Sequence, residues 1–83
     1  MRLTYDTSVD AAYISVAEQI ADGAVQNTNP CEPDGVRGSI NLDFDSSGRL
    51  LGIEVLGAKS ILPAETLGRA ERLVTHGATK EDR

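Results

Sequence analysis

The chain has no tryptophan, a single phenylalanine, two tyrosines, one cysteine and one histidine among its 83 residues. Each scarcity removes a class of explanation. With so few rings to bury, the core must be assembled mainly from Leu, Ile and Val, and a domain of this size removes only about 60% of its unfolded surface from water. The core is therefore expected to be thin, and a homodimer would supply further burial. The lone Cys31 excludes an intrachain disulfide and implies no oxidising compartment. It lies beside Pro30 and close to Pro33 with no neighbouring base, so it reads as an inert thiol.

The only imidazole, His76, cannot furnish a Cys/His metal set, and neither a Gly-rich phosphate loop nor a Ser-centred nucleophile motif occurs. No cofactor is expected. No apolar run approaches the roughly 18 residues of a membrane span, and the amino terminus lacks the apolar run of a secretory signal. The expectation is a cytoplasmic protein with no membrane contact. Positive charge is scarce too, with 8 Lys and Arg against 13 Asp and Glu, a net charge of -5 and a pI near 4.6. Phosphate backbones reward clustered Lys and Arg, so nucleic acid is disfavoured as a partner. The pair Arg69 and Arg72 reads as the solvated side of a helix.

What is present is β patterning. Residues 2–5 alternate, with Leu3 and Tyr5 on one face, and stop at the turn residues Asp6, Thr7 and Ser8. Residues 11–17 resume, with Ala12, Ile14 and Val16 sharing a face. Asp22-Gly23 and Pro33-Asp34-Gly35 mark further reversals, and between them Pro30 and Pro33 confine any strand to an edge or an irregular path. The strongest signal is a hairpin over residues 40–55. Pairing Phe44 with Arg49, Leu42 with Leu51 and Ile40 with Ile53 sets apolar against apolar and leaves Asp45, Ser46, Ser47 and Gly48 as the loop. A three-residue loop with a bulge would instead oppose Ile40 to Glu54, the poorer match. Residues 62–75 carry Leu67, Ala70, Leu73 and Val74 at helical spacing behind Pro63, which predicts one covering helix with a Glu65 to Arg69 pair outside and Gly68 weakening it. His76-Gly77 reads as its end.

The expected class is thus α+β: a small, hairpin-rich antiparallel β-sheet of about four or five strands with one C-terminal α-helix. Residues 2–76 form the domain and residues 77–83 a mobile tail.

The chemistry candidates are all acidic. Asp43, Asp45, Ser47, Gly48 and Glu54 fall at positions 1, 3, 5, 6 and 12 of a calcium loop. Such a loop needs a helix on each side, whereas the flanks here alternate with period two, so the ordinary reading is a hairpin turn. Asp6 and Asp10 could pair for acid/base or metal chemistry, but Asp in turns commonly accepts backbone amides, and that structural role is preferred. His76 reads as a cation complementing a helix end.

Two segments together carry a family signature: Thr4-Tyr5-Asp6 followed by Asp10-Ala11-Ala12-Tyr13-Ile14, and Asn41-Leu42-Asp43-Phe44-Asp45 followed by Gly48-Arg49-Leu50-Leu51-Gly52-Ile53-Glu54-Val55-Leu56. They resemble the small, mainly prokaryotic domain-of-unknown-function 2283 family over residues 2–60. The resemblance implies a compact antiparallel sheet with a carboxy-terminal helix and supplies no catalytic residues. It also implies a loose association with small proteins encoded beside toxin-like partners. The chain departs from the family pattern over residues 27–33, where Asn, Pro and Cys replace a smooth apolar strand.

The resulting expectation is a protein-interaction or self-associating domain, a homodimer or the partner of another small protein, leaning away from catalysis. One alternative is a metal-dependent hydrolase built on Asp6, Asp10, Asp43 and Asp45. The other is an acidic antitoxin-like regulator presenting Glu18, Asp22, Glu32 and Asp34 to a basic toxin.

Overall fold

The structure, a computed structural model, describes residues 1–73. The alternating segments become β1 (Arg2–Asp6) and β2 (Ala11–Ser15), and the polar middle supplies β3 (Asn27–Cys31). The hairpin consists of β4 (Ser39–Phe44) and β5 (Leu50–Leu56). Two short helices, α1 (Ala58–Ile61) and α2 (Ala64–Gly68), lead to β6 (Glu71–Leu73). The strands form one sheet in the order β3-β4-β5-β2-β1-β6, antiparallel throughout except for the parallel β1–β6 pair.

The α+β class holds, but the sheet is mixed, has six strands, and is covered by two short helices where one longer helix was expected. The local chemistry explains the break. Leu62 precedes a proline and is extended (φ -102°, ψ 143°), ending α1 before Pro63 opens the next turn. Gly68 weakens α2, and although Ala70, Glu71, Arg72 and Leu73 are good helix formers, residues 71–73 gain a backbone ladder by pairing with β1, a tertiary contact that overrides local propensity. Arg72 is accordingly a strand residue. The expected Glu65–Arg69 pair is replaced, among the described residues, by a salt bridge from Arg2 to Glu71 that clips β6 to β1. The readings of His76 as a helix end and of residues 77–83 as a tail lie outside the described residues.

Register is the second correction. The loop closes with Gly48 N–H donating to the Asp45 carbonyl and Asp45 N–H to the Arg49 carbonyl, and Gly48 adopts φ 79°. This is the three-residue loop with a bulge that sequence matching disfavoured. A further bulge then leaves Leu51 between the Phe44↔Leu50 and Asp43↔Gly52 pairs. The extra residue restores the faces, so that Ile40 meets Val55 and Leu42 meets Ile53. Apolar still faces apolar, Phe44 meeting a partner one place and Leu42 and Ile40 partners two places further along β5 than expected.

The register divides the sheet into an apolar and a polar face. Leu3, Tyr5, Ala12, Ile14, Ile40, Leu42, Ile53 and Val55 share the apolar one. Its fully buried part is small: Tyr5, Ala12 and Val55 under Ala58, Leu67 and Ala70, with Leu3, Ile53, Ile61 and Leu62 packed around them. Farther along the strands, Ile14, Leu42, Phe44 and Leu50 are only half-buried. The edge strand β3 is exposed along its whole length, which is how the sheet accommodates Pro30 without a ladder donor.

Candidate functional site

The open, polar face holds a belt of side chains running across four strands. Tyr13 in β2 donates its hydroxyl to Asp43 Oδ2 in β4 (2.8 Å), and Thr28 in β3 donates to Asp43 Oδ1 (2.7 Å). The strand between them, β5, contributes Gly52, which is buried beneath the Tyr13 ring. A side chain could not fit there: a Cβ on Gly52 would stand 2.1 Å from the Tyr13 hydroxyl oxygen and 2.4 Å from the ring carbon bearing it. Glycine thus lets the tyrosine lie across its neighbour and reach a carboxylate two strands away. Beside this belt Asn41 Nδ2 donates to Glu54 Oε1 (3.2 Å), a directly opposed β4–β5 pair.

The belt has a definite protonation state. Burial, the Asp43 hydrogen bond, and the charges of Asp43 and Glu54 together push the Tyr13 phenol up to about 12. At neutral pH the phenol keeps its proton and serves as a donor. It is not available as a base. Next to it, Arg2, Tyr13 and Ser15 from the sheet and residues 18–21 from the β2–β3 loop enclose an open cleft of about 770 Å³. Its one cation, Arg2, is held in a two-pronged pair with Glu71, with Nε to Oε1 at 2.9 Å and Nη2 to Oε2 at 2.7 Å. Hydrogen bonding first, and charge second, hold the Glu71 carboxyl below its usual range and raise Arg2.

A second polar centre sits at the helix-covered end. Asp10 adopts a left-handed conformation (φ 54°), and its Oδ1 accepts the Tyr5 hydroxyl at 2.6 Å and the Lys59 backbone N–H at 3.0 Å. Its carbonyl also receives the N–H groups of Gly57 and Ala58. One residue in the β1–β2 turn therefore satisfies the amides that open α1 and anchors the ring at the centre of the core. Tyr5 is raised by this hydrogen bond, by burial and by the Asp10 charge, with Arg72 opposing.

The candidate acids are thereby distributed among separate partners. Asp6 Oδ1 accepts Ser8 N–H and Oγ–H inside the first turn, and Asp45 Oδ1 accepts the N–H groups of Ser47 and Arg49 inside the hairpin loop. Asp43 belongs to the tyrosine belt and Glu54 to its Asn41 pair. Among the described residues no three His, Cys, Asp or Glu side chains gather in a group able to hold a metal ion. Glu18, Asp22, Glu32 and Asp34 are exposed, as is Cys31. No described helix is long and apolar enough to cross a membrane.

Sequence reading missed Thr28 as a partner of Asp43, Gly52 as the seat of Tyr13, and the Asp10 to Lys59 contact. A glycine inside a strong strand pattern was the available signal for the second, since such a glycine marks close approach by another group. The other two depend on strand order and on a contact across 49 positions of sequence.

A family model described as a protein of unknown function (DUF2283) matches residues 2–59. No curated protein and no solved structure matches the chain.

Proposed function

Since the chain belongs to the DUF2283 family, whose description supplies no activity, we propose from the geometry that it is an interaction domain pairing with a second copy of itself through the uncovered end of its apolar sheet face. One observation carries this reading. Full burial on that face stops at Tyr5, Ala12 and Val55, while Ile14, Leu42, Phe44 and Leu50 continue the same surface half-buried, and Val16 beyond them is 39% exposed. A twofold axis through such a patch would bring two like faces together at the usual sheet packing distance of about 10 Å.

The energetics are of the right order. Ile14, Leu42, Phe44 and Leu50 keep at most about a third of their surface exposed, so completing the burial of each is worth at most about 0.5–1 kcal/mol, a third of the 1.5–3 kcal/mol for a fully exposed one. Four from each copy give at most about 4–8 kcal/mol, against the rough 4–15 kcal/mol lost in bringing two molecules together. The bulge residue Leu51 and Val16 at the same end add to the favourable side. With the two terms so close, a single charge in the patch should abolish pairing.

Light scattering and sedimentation across a range of concentrations test this directly. The expected result is a dimer for the native chain and for Leu56→Glu, which alters an exposed position on the other face, but a folded monomer for Phe44→Glu. A native monomer at about 1 mM, or a dimer indifferent to Phe44→Glu, would overturn the reading.

A further inference from the structure

At the opposite, helix-covered end of the apolar face, a cleft of about 550 Å³ opens among β1, α1, α2 and β6. Tyr5 and Leu67 form its buried floor, and Thr7, Lys59, Ala64 and Arg72 stand around its exposed rim. The volume falls in the range of small-molecule sites. Its charge is the reverse of the chain's. The whole molecule carries a net charge of -5, yet among the described residues this lining contains a lysine and an arginine and no carboxylate.

Among the described residues neither the Lys59 ammonium nor the Arg72 guanidinium has a salt-bridge partner, in contrast to Arg2, which is locked to Glu71. Arg72 instead stacks over the Tyr5 ring, with its guanidinium carbon 5.4 Å from the ring centroid, so its donors are positioned by a buried aromatic. Asp10 Oδ1 accepts the Tyr5 hydroxyl and the Lys59 backbone N–H, which fixes both the tyrosine and the start of the lysine side chain. The result is a planar cation, a mobile cation and a threonine hydroxyl around an apolar floor.

We propose that this cleft binds a small organic phosphate monoester, its dianionic head between Lys59 and Arg72 and its apolar body against Ala64 and Gly68, the exposed wall of α2 beside Leu67. Two positive charges match a dianion, and a guanidinium offers the forked donors that phosphate oxygens accept. The α2 wall gives the organic part somewhere to lie that a free anion would not use. This site is separate from the self-association patch, and a Phe44→Glu monomer should retain it.

Phenyl phosphate is the probe, with inorganic phosphate as its head alone and benzoate as an aromatic monoanion for comparison. Titration of the isotopically labelled chain, followed by backbone amide shifts, should show saturable movement at Thr7, Lys59, Ala64 and Leu67, with a dissociation constant on the order of a millimolar for so small a ligand. Inorganic phosphate and benzoate should each bind roughly tenfold more weakly. Lys59→Gln and Arg72→Gln alter exposed side chains and should each weaken phenyl phosphate roughly tenfold. Arg49→Gln, at the distant hairpin loop, should leave it unchanged. The proposal is overturned if no saturable shift appears by about 20 mM, if the shifts lie away from the cleft, or if Arg49→Gln weakens binding as much as the cleft variants do. Binding of benzoate as tight as that of phenyl phosphate would also overturn it, because a single negative charge would then do as well as the dianionic head.

Discussion

Replacing Gly52 by alanine tests the central claim about the polar face, that Tyr13 reaches Asp43 only because the intervening strand offers no side chain. The added Cβ would lie 2.1, 2.4 and 2.7 Å from three atoms of the Tyr13 hydroxyl end, distances that force the ring aside. Displacing it breaks a 2.8 Å hydrogen bond to an ionised carboxylate, a class of bond worth about 1.5–3 kcal/mol net. Alanine returns about 0.5–1 kcal/mol, because glycine loses more backbone freedom on folding. The expected net loss is about 1–2 kcal/mol from a total stability of roughly 4–12 kcal/mol for a chain of this length. Urea unfolding measures that loss, and NMR titration of ring-labelled tyrosines supplies an independent readout. Tyr13 should fall from about 12 toward the ordinary 10 as it leaves both its burial and its partner. In a Tyr13→Ala background the obstruction is gone, so the same Gly52→Ala change should be neutral or mildly stabilising. A Gly52→Ala protein as stable as the native one, with Tyr13 still titrating near 12, would refute the argument.

Asp10→Ala should lose about 2–4 kcal/mol in urea unfolding, because it strips the acceptor from a buried hydroxyl and from the Lys59 amide and leaves alanine at φ 54°. Asp10→Asn keeps an oxygen acceptor and tolerates that conformation, so it should stay within about 1 kcal/mol of the native protein. In alkali, the folded state holds the Tyr13 proton to about 12 whereas an unfolded tyrosine releases it near 10. The tyrosine's contribution to stability is therefore intact below pH 10 and lost between pH 10 and 12. Asp43→Asn should shrink that alkaline loss, and circular dichroism against pH will show whether it does.

Much of this molecule is legible in short-range pattern. The strands of the 40–55 hairpin, the confinement of the Pro30 segment to an edge, and the use of Asp6 and Asp10 as acceptors of backbone amides all follow from alternation, missing donors and local hydrogen-bonding chemistry. The calcium-like spacing from Asp43 to Glu54 was discounted on the same grounds, since period-two flanks do not make helices. What failed was whatever depended on distant partners. Helical spacing over residues 62–75 overlooked the unpaired edge of β1, which recruits Glu71–Leu73 into the sheet. The hairpin register overlooked the second bulge at Leu51, which lets Ile40 and Leu42 meet Val55 and Ile53 on the apolar face after a three-residue loop.

The same division applies to the sites. Composition by itself determined that the core would be thin and the chain acidic, because a count of rings and charges needs no geometry. Only the tertiary structure decided that Thr28, Asp43 and Tyr13 form one belt, and that Lys59 and Arg72 face a common cleft over Tyr5. Strand order brings together residues that the sequence separates, and neither hydrogen bonds nor unpaired charges can be assigned until those neighbours are fixed.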